Sequence, residues 1–264
     1  MREAIQSPLL STIARRATIL RKILDGYTSK RDLEDVLDVS RSTLDRAIRC
    51  LSDEQIITYQ SGECVVTLYG QFALREYERL KEHYETLDTA KSLLLTLDPD
   101  ISLDPRVLHG ADIILAEQPA PHAPIDRLED LLDRCRSVIG LSPVVLPRFV
   151  DLFYEHITER GVETELILDG DLVEYLWTAH PSKLRDVLDC EHCTIRWVEE
   201  IPEFGVVLID ADRVWISVYD DQGGLHGAIV NENSPALTWA SDILSIYRSQ
   251  AEPVLFRGGS SERA

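Results

Sequence analysis

Apolar positions between residues 9 and 24 recur in a helical rhythm: Leu10, Ile13, Ala17, Leu20, Ile23 and Leu24. Spacings of three and four place them on one face of a helix. Pro8 suits its opening and Gly26 its end, with Arg15, Arg16, Arg21 and Lys22 on the wet side. A shorter helix is predicted over 30–37, capped by Thr28 or Ser29. After the turn Asp38-Val39-Ser40, the residues Leu44, Ala47, Ile48 and Leu51 again follow the i, i+3, i+4, i+7 rule. Ser40 suits the N-cap, because its hydroxyl can accept a bond from an otherwise orphan amide. The other face of this third helix collects Arg41, Ser42, Thr43, Arg46 and Arg49. Two β-prone runs, 57–60 and 63–66, flank Ser61-Gly62 and predict a hairpin.

A short helix, a three-residue turn and a second helix with a polar outer face make a helix-turn-helix, whose second helix enters the major groove. With the hairpin added, the layout is that of a winged helix. The tip Gln60-Ser61-Gly62-Glu63 has no Arg or Lys, so reading of DNA falls to the third helix. Its expected contacts are Ser40, Arg41, Ser42, Thr43, Arg46 and Arg49, with Lys30 from the helix before it. Guanidinium and hydroxyl donors suit phosphates and purine edges. The plainer alternative is a helix pair that merely packs, its arginines solvated.

Thr67 caps a further helix predicted to run to about residue 95. Tyr77, Leu80, Tyr84, Leu87 and Leu94 repeat at heptad-like spacing, with Lys91 interrupting, which reads as a short dimerisation seam. Asp98-Pro99-Asp100 and Asp104-Pro105 then mark a linker. Beyond them, strands are expected at 107–108, 111–116, 137–141, 163–168, 194–198, 205–209, 214–219 and 228–231. Helices are expected at 125–134, 147–160 and within 171–188, and Ser234-Pro235 caps a last one. Alternating strands and helices followed by a meander argue an α/β domain with a mixed sheet. The whole is α+β or α/β: a winged helix at 1–67, a linker and dimerisation helix at 68–105, an effector or assembly domain at 106–256, and a flexible tail at 257–264.

Charge sharpens this division. The 264 residues carry a formal net charge of −19. Residues 1–85 hold 13 basic against 14 acidic side chains, a net of −1; the remainder hold 14 against 32, a net of −18. Within 11–49 the balance is 9 basic against 6 acidic, so the one cationic stretch is the helix-turn-helix. Phosphate neutralisation drives non-specific DNA affinity, and here the repulsive part is segregated from the reading head. Lysine is scarce, 5 residues against 22 arginines. An acidic surface with few lysines fits a halophilic, cytoplasmic protein, since at ~1 M salt the Debye length shrinks to ~3 Å and self-repulsion is screened. No run approaches the ~18 apolar residues of a membrane span, and no membrane association is expected.

Five cysteines (Cys50, Cys64, Cys135, Cys190, Cys193) form no disulfide framework. Cys190-Glu191-His192-Cys193 has the spacing of a redox pair or half a zinc site, but no second such pair follows. These are weak metal candidates, and no cofactor is expected. A small-molecule effector would need converging polar groups at strand ends; Arg148, Glu203, Tyr219 and His226 are the candidates. No His-x-Lys pair occurs, which removes phospholipase-type phosphodiester chemistry, and neither G-x-x-x-x-G-K-[ST] nor G-x-S-x-G is present. Gly223-Gly224 reads as a hairpin turn rather than a phosphate cradle.

Three stretches carry a family resemblance: 39–48, Thr67-Leu-Tyr-Gly70, and Pro202-Glu-Phe-Gly-Val-Val-Leu-Ile-Asp210 with Val218-Tyr-Asp-Asp221. The chain resembles archaeal winged-helix transcriptional regulators, of the acidic haloarchaeal branch, that carry the middle domain of a methanogen filamentation regulator. The resemblance implies DNA-binding regulation by a dimer with a sensing domain, and supplies no catalytic residues. Two rivals stand beside this reading. One is an interaction scaffold whose winged helix no longer binds DNA; the other is a small-molecule enzyme with an appended winged helix.

Overall fold

The computed structural model describes residues 7–255; the expected tail at 257–264 lies outside them. The chain divides into two compact units, 1–84 and 85–264.

In the first unit, α1 (Pro8–Leu24), α2 (Lys30–Leu37) and α3 (Arg41–Asp53) precede a hairpin of β1 (Ile57–Gln60) and β2 (Glu63–Val66). Ser7, Ser29 and Ser40 each accept an amide of the first turn that follows. Asp38 closes α2 in the left-handed region at φ 49°, which an Asp side chain tolerates better than most and which makes the turn into α3 tight. Ile13, Leu20, Leu33, Leu44, Ile48 and Leu51 are buried together with Ile57 and Cys64 of the hairpin. Ser61 and Gly62 both have positive φ (53° and 89°), the geometry a two-residue hairpin turn needs to match strand twist. The Cys64 amide donates to the Thr28 carbonyl at 2.9 Å, pinning the hairpin to the loop before α2.

The next helix, α4 (Leu68–Thr89), is stitched to the head of the hairpin. Thr67 donates its amide and hydroxyl to the Ile56 carbonyl and accepts the Gly70 amide at 3.0 Å. Arg21 of α1 pairs with Glu78 of α4 at 2.5 Å. The helix stops at Thr89, short of the expected 95. Thr89 turns its hydroxyl back onto the Glu85 carbonyl, a bond that weakens helix continuity. A new short helix, α5 (Lys91–Thr96), then begins.

In the second unit, Ala90, Leu93 and Leu97 are buried in its core. The expected strand at 107–108 is instead a 3-10 turn, Pro105–Leu108. Asp104 caps it by accepting the Arg106 amide at 2.8 Å, and Pro105 opens it, so helical capping overrides two β-branched or bulky apolar residues. There follow β3 (Asp112–Leu115), α6 (Ala123–Leu132), β4 (Ser137–Ser142), α7 (Pro147–Thr158), β5 (Glu163–Asp169), α8 (Gly170–Ala179), α9 (Pro181–Leu188), β6 (Cys193–Val198), β7 (Phe204–Ile209), β8 (Arg213–Tyr219), β9 (Leu225–Asn231), α10 (Ser234–Gln250) and β10 (Glu252–Pro253). The N-cap of α10 is Asn233 rather than Ser234, with Ser234 already helical.

The eight-stranded sheet runs β10-β6-β5-β4-β7-β8-β9-β3. Strands β4, β5 and β6 are parallel, and β7, β8 and β9 form the antiparallel meander that joins them at β4. It is the expected mixed sheet. Alternation assigns the faces: Phe204, Val206, Leu208, Val214, Ile216 and Val218 share a core with α5 and α10. Val207, Ile209 and Trp215 pack with α6 and α7 on the other side. Both faces are therefore covered, which is why β7 reads as an unbroken apolar run. Buried Asn231 donates to the carbonyls of Val107 and His109 and accepts the Asn233 amide, so its polar groups are satisfied where burial would otherwise be costly.

Candidate nucleic-acid interface

The face of α3 can be built from its register. At about 100° per residue, Leu44, Ala47, Ile48 and Leu51 point into the core, and all four are buried. Ser42, Arg46 and Arg49 then fall opposite the core, with Arg41 and Thr43 at the flanks. All five are exposed. Among the described residues none of Arg41, Arg46 and Arg49 is ion-paired, so their donors face solvent.

The hydroxyls are arranged differently. Ser40 Oγ accepts the Thr43 amide at 3.3 Å and lies 3.1 Å from Ser42 Oγ and 2.9 Å from Thr43 Oγ1. They make a small hydroxyl cluster at the helix start, beside amides whose partial positive charge favours an anion.

Lys30 does not join this set as an unpaired cation. Its ammonium sits 2.6 Å from Asp45 Oδ1. That hydrogen bond raises the lysine pKa and holds the Asp45 carboxyl below its ordinary range, with Lys30, Arg41 and Arg49 adding attraction. The pair links α2 to α3 and offsets the Asp45 carboxylate. Arg31, exposed beside Lys30 and unpaired among the described residues, is a cation that sequence reasoning passed over. It stands in the first turn of α2.

Along α4, Leu80, Tyr84 and Leu87 are exposed. Tyr77 packs against the core of the first unit, and Leu94 lies beyond the helix and packs against the core of the second. The expected seam is therefore shortened at both ends.

The four candidate effector residues do not converge. Arg148 pairs with Glu129 at 2.8 Å on the surface, Glu203 is exposed and His226 half-buried. Tyr219 alone, buried to 7% exposure, lines a cavity in the second unit. Asp220 takes up the turn that follows: its carboxylate accepts the amides of Gln222 and Gly224, so Gly223-Gly224 is a turn.

Nor do the Cys190 and Cys193 thiols form a metal cluster with His192: among the described residues no group of three ligand-type side chains converges. Cys190 donates to the Asp186 carbonyl and His192 Nε2 lies 2.8 Å from the Ile157 carbonyl. Burial pushes the Cys193 thiol up to about 12, with the Cys190 charge adding to it. At pH 8 its alkylation by iodoacetamide should run on the order of a hundredfold slower than that of an unperturbed thiol, since the thiolate is the nucleophile. Peptide mass spectrometry on the native protein measures this, and rapid labelling of Cys193 would contradict its burial.

Comparison with known proteins places both units. Residues 121–250 match the family model described as the methanogenesis regulatory protein FilR1, middle domain, and residues 4–89 match the HVO_A0261 N-terminal domain. The second unit is thus similar to the FilR1 middle domain over most of its length. That match bears out the resemblance read from residues 202–210 and 218–221, which lie inside the matched segment. No curated protein matches the chain significantly in sequence. Among solved structures, the archaeal chromatin protein TrmBL2, described as showing a novel mode of DNA binding, is 13% identical with a TM-score of 0.43; the similarity covers 94% of this chain and all of that one. Nuc, a phospholipase D family member from Salmonella typhimurium, is 12% identical at a TM-score of 0.41 and covers 55% of this chain and 98% of its own. Likenesses this loose carry no detail of site or chemistry. The phospholipase comparison brings no His-x-Lys pair with it, because the sequence has none.

Proposed function

We propose that this chain is a sequence-specific DNA-binding transcriptional regulator, not an enzyme. It acts as a cytoplasmic homodimer with its C-terminal unit as sensing domain. The observation that carries the reading is the α3 outer face, where Arg46 and Arg49 stand opposite the buried stripe, exposed and unpaired among the described residues. In the proposed complex, Arg46 and Arg49 enter the major groove, Ser42 and Thr43 meet phosphate at the helix start, and Arg41 and Arg31 hold the backbone alongside. The hairpin, with no cation at its tip, contributes little. Pairing along α4 through Leu80, Tyr84 and Leu87 sets two reading helices about one helical turn of DNA apart. The acidic remainder keeps the protein soluble in a high-salt cytoplasm, where screening permits a net charge of −19.

Genome-wide recovery of cross-linked DNA tests this. The regulator reading expects a limited set of sites sharing a two-fold sequence motif. Recovery no different from an untagged control would favour the scaffold reading, which the overall charge and the non-basic wing tip support.

A further inference from the structure

The second unit holds a cavity of about 100 Å³ between the sheet and helices α7 and α9. Gly140 of β4 and Gly205 of β7, on adjacent strands, both line it, and neighbouring side chains lean in over them. A Cβ on Gly205 would stand 3.1 Å from Tyr219 Oη, and one on Gly140 would stand 3.0 Å from Leu166 Cδ2. Phe149, Phe153, Leu184 and Val187 form an apolar roof. By size this is near the scale of dry apolar cavities that take one aromatic ring, about 150 Å³.

The floor is polar in one place only. Ser142 Oγ donates to the Val144 carbonyl at 2.7 Å and lies 3.2 Å from Tyr219 Oη. With its proton committed, Ser142 accepts from Tyr219. Beside them, Ser217 Oγ accepts the Trp215 indole N–H at 2.8 Å. Protons there run one way, Tyr219 to Ser142 to Val144. Both of those hydroxyl protons are used, and the unused capacity of the two oxygens is lone pairs. A guest that meets them must bring its own proton.

At the rim the charges are spoken for. Lys183 of α9 pairs with Asp151 of α7 at 2.5 Å and lies 5.2 Å above the Tyr154 ring, while Tyr154 donates to Asp186. His180 packs edge-on against Tyr175. These links tie the two roof helices together and leave no spare cation for a carboxylate.

We propose that this cavity binds a compact, uncharged, largely apolar molecule with one hydroxyl donor, of the phenol or short branched alcohol class, its hydroxyl donated to the Tyr219 and Ser142 oxygens. The proposal gives a ligand class to the sensing role above and rests on that half of the reading alone. Because binding is measured directly and without DNA, its failure would leave the α3 assignment standing, and the reverse holds.

The test is titration calorimetry and saturation-transfer NMR on the full chain with phenol, toluene and benzoate. Phenol and toluene should bind and benzoate should not. In the double variant Ser142→Ala/Tyr219→Phe, phenol affinity should fall about three- to tenfold, the range expected for losing one hydrogen bond, with toluene affinity unchanged. Should circular dichroism show that variant unfolded, Tyr219→Phe alone takes its place, with a smaller fall of the same sign. No saturation transfer from phenol, benzoate binding as tightly as phenol, or phenol affinity indifferent to the folded variant would each overturn the proposal.

Discussion

Arg46→Ala lowers operator affinity about 5- to 150-fold in a mobility-shift titration, the ~1–3 kcal/mol carried by a bidentate arginine–guanine contact. Arg46 and Arg49 are the cations of α3 that lie opposite Leu44, Ala47, Ile48 and Leu51, and both are exposed. An arginine that reads a base loses discrimination at one position when removed. One that holds phosphate weakens binding to all sequences alike and makes the salt dependence shallower. Comparing operator with scrambled DNA for each single variant therefore separates the two roles. Lys30→Ala is the internal control. Its ammonium is committed to Asp45, so its loss should shift affinity by less than either arginine does. Because these side chains are exposed, the melting temperature should stay where it is. Equal affinity for wild type and the Arg46→Ala/Arg49→Ala double variant would remove the assignment.

Gly70→Ala destabilises the first unit, although alanine is the better helix former by about 1 kcal/mol. A Cβ there would stand 2.2 Å from the Ile56 carbonyl oxygen and 2.9 Å from both Ile56 Cγ2 and Val66 Cγ1. The first obstacle is backbone, which cannot rotate away as a flexible side chain would. It is also the carbonyl that accepts both the Thr67 amide and hydroxyl, so moving it breaks the junction of hairpin and α4. Overpacking typically costs ~1–3 kcal/mol and occasionally more, and here it should exceed the propensity gain. For a unit of this size each kcal/mol lowers the melting temperature by roughly 4–8 °C. Thermal unfolding followed by circular dichroism measures it, and an unchanged or raised midpoint would show that α4 does not need this close approach.

Much of the first unit was legible because its signals are local. A capping serine, a stripe of Leu and Ile at three and four, and a Ser-Gly turn each act within a few residues. The structure realises them at Ser29, Ser40 and Ser61-Gly62. The misses have a common cause in longer-range contacts. Lys30 and Asp45 meet only because α2 and α3 cross at a particular angle, which neither helix encodes alone. The heptad-like run lost Leu94 to a core that begins at Ala90.

 That residue, Leu94, packs where Ala90, Leu93 and Leu97 are already buried, so burial in its own unit won over the repeat. Residues 107–108 look strand-like in isolation, but Asp104 and Pro105 wind them into a turn. Strand β10 is only two residues long, one of them proline, and leaves no periodic trace. The candidate effector residues were chosen as polar groups at strand ends. The cavity is instead lined mostly by apolar side chains and two glycines, and of the four candidates only Tyr219 reaches it.

DNA recognition by this chain requires the outer face of α3 to lie in a duplex groove, and methylation interference on a recovered operator probes that contact directly. Methyl groups placed on guanine N7 project into the major groove, where an arginine would meet N7 and O6. The expected result is two clusters of interfering guanines about one helical turn apart, with one guanine in each half-site losing its interference when Arg46 is replaced by alanine. Interference at no guanine, or a pattern the same for wild type and Arg46→Ala, would contradict it.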